Sequence, residues 1–262
     1  MKERYDAIGS SYSKYRQPDS RIVNTIVELL SLSKTNLIAD IGAGTGNYSR
    51  ALANLGYFVH AVEPSSVMMK QSISNPNIQW FDGYAESIPL PNASVDGVIC
   101  ILAAHHFSDL KKSVREMHRI TKKGRLIFLT FDPRMTEKFW FSDYFPSIWQ
   151  QTFEVFPPIN DVAKVIADNT SRSVKISKFI LPPNLTDMFA AAGWRQPEIY
   201  LNPEIRSSIS AFALADTNLV ENRLVLLKQD LDDGKWNAQY GEILKRTGFD
   251  AGYRFLSASL RD

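Results

Sequence analysis

Residues 37–53 read LIADIGAGTGNYSRALA, and this stretch decides the fold. LIAD is a short apolar run ending in an acid, IGAGTG is a turn dominated by glycine, and NYSRALANLG has helical periodicity closed by Gly56. Strand, glycine turn and helix therefore follow one another without a spacer. YFVHAVEP then predicts a second strand, ending at Glu63.

The alternation extends in both directions. Upstream, PDSRIVNTIVELLSL places Ile22, Val23, Ile26, Val27 and Leu30 on one helical face behind a cap at Asp19 or Ser20. Downstream come helix SSVMMKQSI, strand IQWFDG, loop YAESIPLPNAS, strand VDGVICILA, helix FSDLKKSVREMHRITKKG and strand RLIFLTF. Such repetition predicts right-handed βαβ units and a doubly wound, mostly parallel sheet with helices on both faces. After Phe131 the pattern changes to the aromatic-rich EKFWFSDYFPSIWQQTFEVFPP and a helix around DVAKVIADN. A helix in NLTDMFAAAGW, a strand in PEIYL, helices from Pro203 to Lys245 and a last strand in GYRFLSASL follow. The last two strands complete a seven-stranded α/β sheet, and the helical pieces between them form an inserted lid.

Composition narrows the function classes. The 262 residues, 44% of them hydrophobic, suffice for a sizeable core. Lys and Arg (30) nearly balance Asp and Glu (28), with no basic block longer than Lys111-Lys112 or Lys122-Lys123. Nucleic acid is therefore not expected as the main partner. The single cysteine, Cys100, excludes an internal disulfide and a multi-cysteine metal site and suits a reducing cytoplasm. MKERYDAIGSSYSKYR lacks the apolar core of a signal peptide, and no apolar run approaches the ~20 residues of a membrane span. These features predict a cytoplasmic monomer or small homo-oligomer without a metal.

The chemistry is read from the glycine turn. Gly42 and Gly44 let the backbone turn tightly and approach a ligand closely, as a dinucleotide fingerprint also requires. Two departures separate the alternatives: Asn47 stands where G-x-G-x-x-G needs its third glycine, and Asp40 sets a carboxylate against the turn. That carboxylate repels a pyrophosphate and attracts an ammonium group. Glu63 lies at the spacing where an acid accepts hydrogen bonds from a ribose diol. Two acids without a phosphate-binding Lys suit a sulfonium-bearing, phosphate-free nucleoside.

At this point the sequence resembles the class I (Rossmann-like) S-adenosylmethionine-dependent methyltransferases, especially the group related to ubiquinone and menaquinone biosynthesis methyltransferases. The resemblance runs through most of Tyr5 to Phe131 and is weak beyond it. LIADIGAGTGNYSRALA is similar to the family's first motif, HAVEPSSVMM to its second strand and ribose acid, and GYAESIPLPNASVDGVICILAAHHFSD to its adenine loop and fourth strand. It implies S-adenosyl-L-methionine as cofactor and S-adenosyl-L-homocysteine as product. Asp40, Gly42 and Gly44 would hold the methionyl end, Glu63 the ribose hydroxyls, and Pro64 and Met68 would flank the adenine. Ala85 and Glu86 would close over its edge, and Asn47 and Ile101 complete the set. Tyr84 stands where the family commonly has Asp, so either Tyr84 stacks on the adenine or Glu86 substitutes as acceptor. YSKYR resembles the family's N-terminal lid, which makes Tyr12, Tyr15 and Arg16 candidates for the cofactor's carboxylate. Their alternative is a surface cover for the first helix. Asp96 reads as structural.

The implied division is an N-terminal lid at 1–17, a cofactor-binding core at 18–133, an inserted helical and aromatic lid at 134–172, and remaining strands with a helical insertion at 173–262. His105 and His106 follow the fourth strand, where a transferable methyl group faces the acceptor. His106 is the candidate base, against a purely structural role. Trp140, Phe141, Tyr144, Phe145, Trp149, Phe153 and Phe156 either line an apolar substrate pocket or fill a helical core. The implied reaction is methyl transfer to a small molecule, at oxygen, nitrogen or carbon. The alternatives are a catalytically silent S-adenosylmethionine-binding module and an NAD(P)-dependent oxidoreductase.

Overall fold

A computed structural model describes residues 12–213 and 215–260, the side chains of Tyr12, Ser13 and Leu260 aside. The expectations placed on the Tyr12 side chain and on residues 1–11 therefore lie outside the described residues. Seven strands form one sheet: β1 (Leu37–Ile41), β2 (Phe58–Val62), β3 (Ile78–Phe81), β4 (Gly97–Ile101), β5 (Leu126–Thr136), β6 (Arg172–Lys178) and β7 (Ala251–Leu260). Their order is β3-β2-β1-β4-β5-β7-β6. The first five run parallel, and β7 pairs antiparallel with both β5 and β6.

Both faces of the central strands are buried, so successive side chains feed two cores. Ile38, Ile99 and Ile127 pack on one side with Ile22, Ile26 and Leu30 of α2 (Ser20–Leu30) and Leu52 of α3 (Asn47–Asn54). These helices follow the opening turn α1 (Tyr12–Tyr15). Ala39, Val98, Cys100 and Phe128 face the other side. After the short α4 (Ser66–Lys70), that side is covered by α5 (Leu110–Ile120) through Val114, Met117 and Ile120. Asp19 caps α2 as expected, accepting a hydrogen bond from the Arg21 amide at 3.0 Å.

Between β5 and β6 lie α6 (Phe141–Tyr144), α7 (Pro146–Val155) and α8 (Ile159–Thr170). The α8 helix is part of the sheet's second layer, because Ile159, Val162 and Ile166 pack with α5 on the sheet face. Residues 134–172, the segment expected as a lid, thus hold the end of β5, the helices α6 and α7, and the layer helix α8. The six segments Pro197–Leu201 (a 3-10 turn), α9 (Pro203–Ser207), α10 (Ser210–Ala213), α11 (Thr217–Asp232), α12 (Lys235–Tyr240) and Gly241–Lys245 (a second 3-10 turn) make the helical insertion. Among the described residues, no helix is long and apolar enough to cross a membrane.

Three local expectations are corrected. PEIYL is 3-10 rather than strand, because Pro197 cannot donate to a ladder and Tyr200 is drawn inward, its hydroxyl donating to Ala190 O at 2.6 Å. NLTDMFAAAGW forms successive turns, anchored where the Trp194 indole donates to Pro182 O at 3.0 Å. The sheet's sixth strand is instead RSVKISK, the edge strand β6.

Candidate active site

The strand order reverses between β1 and β4, and open α/β sheets place ligands at the carboxyl ends of strands beside such a reversal. A cavity of about 900 Å³, mouth included, opens there. Its floor is the glycine turn, tied to the end of β2 because Gly42 and Ala43 both donate to Val62 O, at 2.9 and 3.2 Å. Gly42 and Gly44 have φ of +74° and +58°, conformations that favour glycine. A Cβ on Gly42 would stand 2.6 Å from that of Ala103, so packing alone requires glycine. A Cβ on Gly44 would meet only the Met68 terminal methyl, at 3.6 Å, so its side opens into the cavity.

Glu63 is buried at the end of β2, and both its oxygens are engaged. Oε2 accepts from the Gly44 amide and Oε1 from the Ser65 amide, each at 2.9 Å. Each oxygen keeps a lone pair for a ligand donor. Burial pushes this carboxyl above its ordinary range, against the two amide hydrogen bonds. Asp40 behaves differently. It does not line the cavity, and its Oδ2 accepts the Ser49 hydroxyl of α3 at 2.6 Å. Burial pushes it up to about 7, against the lowering effect of that bond and with a further push from the charge of Glu63.

Pro64, Ser65 and Met68 line the cavity, as do Tyr84, Ala85 and Glu86. Glu86 binds its loop to the start of α5: Oε1 accepts from the Ser108 amide at 2.6 Å and hydroxyl at 2.9 Å, and from the Asp109 amide at 3.2 Å. Ile101, Leu102 and Ala103 enter from the end of β4, followed by the 3-10 turn Ala104–His106. Asp96, read as structural, receives the Leu37 amide and the Lys122 ammonium, both at 2.9 Å, at the opposite end of β4.

The N-terminal segment supplies the rim. Arg16 pairs through Nε with Asp187, whose second oxygen accepts the Tyr48 hydroxyl at 2.9 Å. The Asn47 side-chain amide Nδ2 donates to Arg16 O. Tyr15 lines neither cavity and donates its hydroxyl to Glu204 at 2.7 Å.

A second cavity, about 610 Å³ with its mouth, adjoins the first and shares Arg16, Leu102 and His106 with it. His105, Phe131, Phe156, Phe189 and Tyr253 give it an aromatic lining, with Thr152 and Ser210 as polar neighbours. Burial, with the charges of His106 and Arg16, holds His105 well below the usual imidazole range. Of the seven aromatics expected to line a pocket or fill a core, Phe156 alone lines either of these two cavities. Trp140, Phe141, Tyr144 and Phe145 are buried in the core with Tyr200, Phe212 and Trp236.

Residues 39–129 match the family model for a methyltransferase domain. A crystal structure from Anabaena variabilis ATCC 29413, described as a methyltransferase from an antibiotic biosynthesis pathway, is 52% identical to this chain, with a TM-score of 0.93 over 95% of this chain and 100% of that one. The chain belongs to the S-adenosylmethionine-dependent methyltransferases. Within this methyltransferase family, YcgJ of Bacillus subtilis, an uncharacterized methyltransferase, is 35% identical over 99 residues, covering 35% of this chain and 39% of YcgJ. The ubiquinone/menaquinone biosynthesis C-methyltransferase UbiE of Rubrivivax gelatinosus is 31% identical over 111 residues, covering 41% and 43%. The chain thus matches less than half the length of these two curated relatives. The YcgJ crystal structure shares the fold, with a TM-score of 0.58 at 17% identity over 93% of this chain and 99% of that one.

The methyltransferase's first cavity brings together Arg16, Gly42, Gly44, Asn47, Glu63 and Pro64. Met68, Ala85, Glu86, Ile101 and His106 join them, whereas Asp40 and Tyr15 stay outside. Sequence reasoning missed Tyr48, Leu102 and Asp187. Tyr48, second in the helix after the glycine turn, was open to inference from helix geometry. Nothing local marks Asp187.

Proposed function

We propose that this methyltransferase binds S-adenosylmethionine in the first cavity and methylates a small-molecule acceptor held in the second. The observation that carries the proposal is their adjacency, with Arg16, Leu102 and His106 common to both linings. When bound, the cofactor supplies an electrophilic methyl group, which passes to an acceptor lone pair while the carbon–sulfur electron pair stays on sulfur.

The chain's own residues fit that cofactor. The glycine turn leaves space beside Gly44, and Glu63, fixed by two backbone amides, offers its remaining lone pairs to a ribose diol. Arg16, at the rim beside the start of α3, suits the methionyl carboxylate, since cations and helix N-termini both favour anions. Pro64, Met68, Ala85, Glu86 and Ile101, all in the lining of the same cavity, would surround the adenine. Asp40 acts from behind the turn, holding Ser49 and with it the start of α3. His106 stands at the junction, placed to touch the acceptor and take a proton from it. Such burial orients the acceptor and excludes water.

Calorimetry with S-adenosylhomocysteine tests the cofactor half. The intact protein should bind it, and Glu63→Ala should weaken binding about ten- to hundred-fold, the loss of roughly 1.5–3 kcal/mol. Binding that Glu63→Ala leaves unchanged removes Glu63 from the site, and no binding by the intact protein rejects the proposal. A radiolabelled methyl-transfer screen across phenols, amines and carboxylates tests the acceptor half.

A further inference from the structure

The second cavity has a chemical signature of its own. Six rings succeed one another along it: His106 and His105 (centroids 3.7 Å apart), then Phe156 (4.1 Å from His105), Phe131 (5.0 Å), Tyr253 (5.0 Å) and Phe189 (4.4 Å). A continuous wall of rings favours a flat, π-rich occupant. The described residues that line it include the cation Arg16 and no carboxylate. Asp187, which pairs with Arg16, belongs to the lining of the first cavity only.

His105 gives the wall its polarity. Its Nδ1 is buried and has no hydrogen-bond partner. A buried acceptor left without a donor is tolerated more readily than an orphaned N–H, so the ring's proton belongs on Nε2. With Nδ1 shut away, Nε2–H is the polar group the ring has left to offer. Its depressed basicity keeps the ring neutral, and so a donor at one nitrogen rather than a second cation.

We infer that the second cavity takes a flat aromatic molecule presenting a phenol or phenolate oxygen to His105, and discriminates against ammonium-bearing acceptors. Aromatic walls by themselves attract cations. Here the lining offers an ammonium group no carboxylate as counter-charge. The inference rests on the methyl-transfer reading above, because it assigns the acceptor for that same site.

Two probes of matched size test it: 4-nitrophenol, whose phenolate absorbs in the visible, and 4-nitrobenzylamine as its ammonium counterpart. Each is titrated by calorimetry and absorbance into protein saturated with S-adenosylhomocysteine. The nitrophenol should bind at least about tenfold more tightly than the amine. His105→Phe, which keeps the ring stack, should weaken nitrophenol about tenfold, and His105→Gln, which restores a donor, should recover part of that loss. Homocysteine-product binding should be the same in both variants. Equal binding of the two probes by the unaltered protein overturns the inference, whatever the variants do. So does nitrophenol binding that His105→Phe leaves unchanged. Failure of S-adenosylhomocysteine to bind the unaltered protein instead defeats the cofactor reading, and the comparison of probes in its absence still reports on the ring wall.

Discussion

Arg16 and Asp187, 171 positions apart, meet in an ion pair whose side chains are 14% and 2% exposed, and Tyr48 completes it from the helix behind the glycine turn. The pair draws the N-terminal segment over the first cavity, helped by the Met188 amide, which donates to Tyr15 O at 3.1 Å. Removing one partner of a buried pair leaves an uncompensated charge, at a cost of about 3 kcal/mol. Arg16→Gln should therefore lower stability and weaken S-adenosylhomocysteine binding together. A double-mutant cycle with Asp187→Asn should give a coupling of about 1 kcal/mol or more in urea denaturation. Strictly additive effects would mean that the contact contributes nothing.

The two glycines of the turn should fail in different ways. Gly42→Ala drives its Cβ to 2.6 Å from Ala103 Cβ, a collision inside the protein, so its main effect should be on the melting temperature. Gly44→Ala meets only the Met68 methyl at 3.6 Å and bears chiefly the strain of its positive φ, about 1–2 kcal/mol. Its larger effect should be on the cofactor, whose space it fills. Thermal denaturation and calorimetry on both variants check this, and a Gly44→Ala protein that binds S-adenosylhomocysteine normally would refute the assigned contact.

Asp40 predicts a pH dependence of stability in the ligand-free protein. Its folded pKa, raised from 3.8 to about 7, means that between those values the folded state holds more protons than the unfolded one. Stability contributed by this carboxyl is therefore present below that window and falls as pH rises through it, the reverse of an ordinary salt-bridged acid. Asp40→Asn retains an acceptor for Ser49 and removes the titration. Between about pH 5 and about pH 8, urea denaturation should show the unaltered protein losing more stability than the variant. Parallel losses in the two proteins would show that Asp40 does not carry the effect.

How far the sequence could be read depended on whether the signal was local. The glycine turn, Glu63 and the five parallel strands announce themselves because β1, β2 and β4 are apolar runs and the intervening helices alternate with 3.6-residue periodicity. The edge strand β6 was missed because RSVKISK is mostly polar and its Ile176 is 36% exposed, so burial left little pattern in it. PEIYL carried strand-like residues into a 3-10 turn, where a tertiary contact of Tyr200 overrode propensity. The second cavity was least legible of all. Phe131, Phe156, Phe189 and Tyr253 come from four separate segments, and no spacing along the chain links them.

That distribution sets the last prediction, a contrast between two aromatics of the stretch after β5. Trp140 is 1% exposed, donates its indole N–H to Trp194 O at 2.8 Å, and packs its ring 5.7 Å from that of Trp236. Trp140→Ala should cost about 3–5 kcal/mol, the usual result of emptying so large a core site, with any loss of activity following from unfolding. Phe156 is only partly buried and stands in the ring wall of the second cavity, 4.1 Å from His105 and 5.0 Å from Phe131. Phe156→Ala should cost less stability, leave S-adenosylhomocysteine affinity intact and change which aromatic acceptors bind. Because α6 is core and α7 reaches the cavity only near its end, through Thr152 and the following Phe156, acceptor choice should respond to Phe156, Phe131, Phe189 and Tyr253. Melting temperatures, cofactor affinity and 4-nitrophenol affinity measured on both variants decide the matter. Acceptor binding that survives Phe156→Ala unchanged, in a protein still folded and still binding S-adenosylhomocysteine, would move the acceptor out of this cavity.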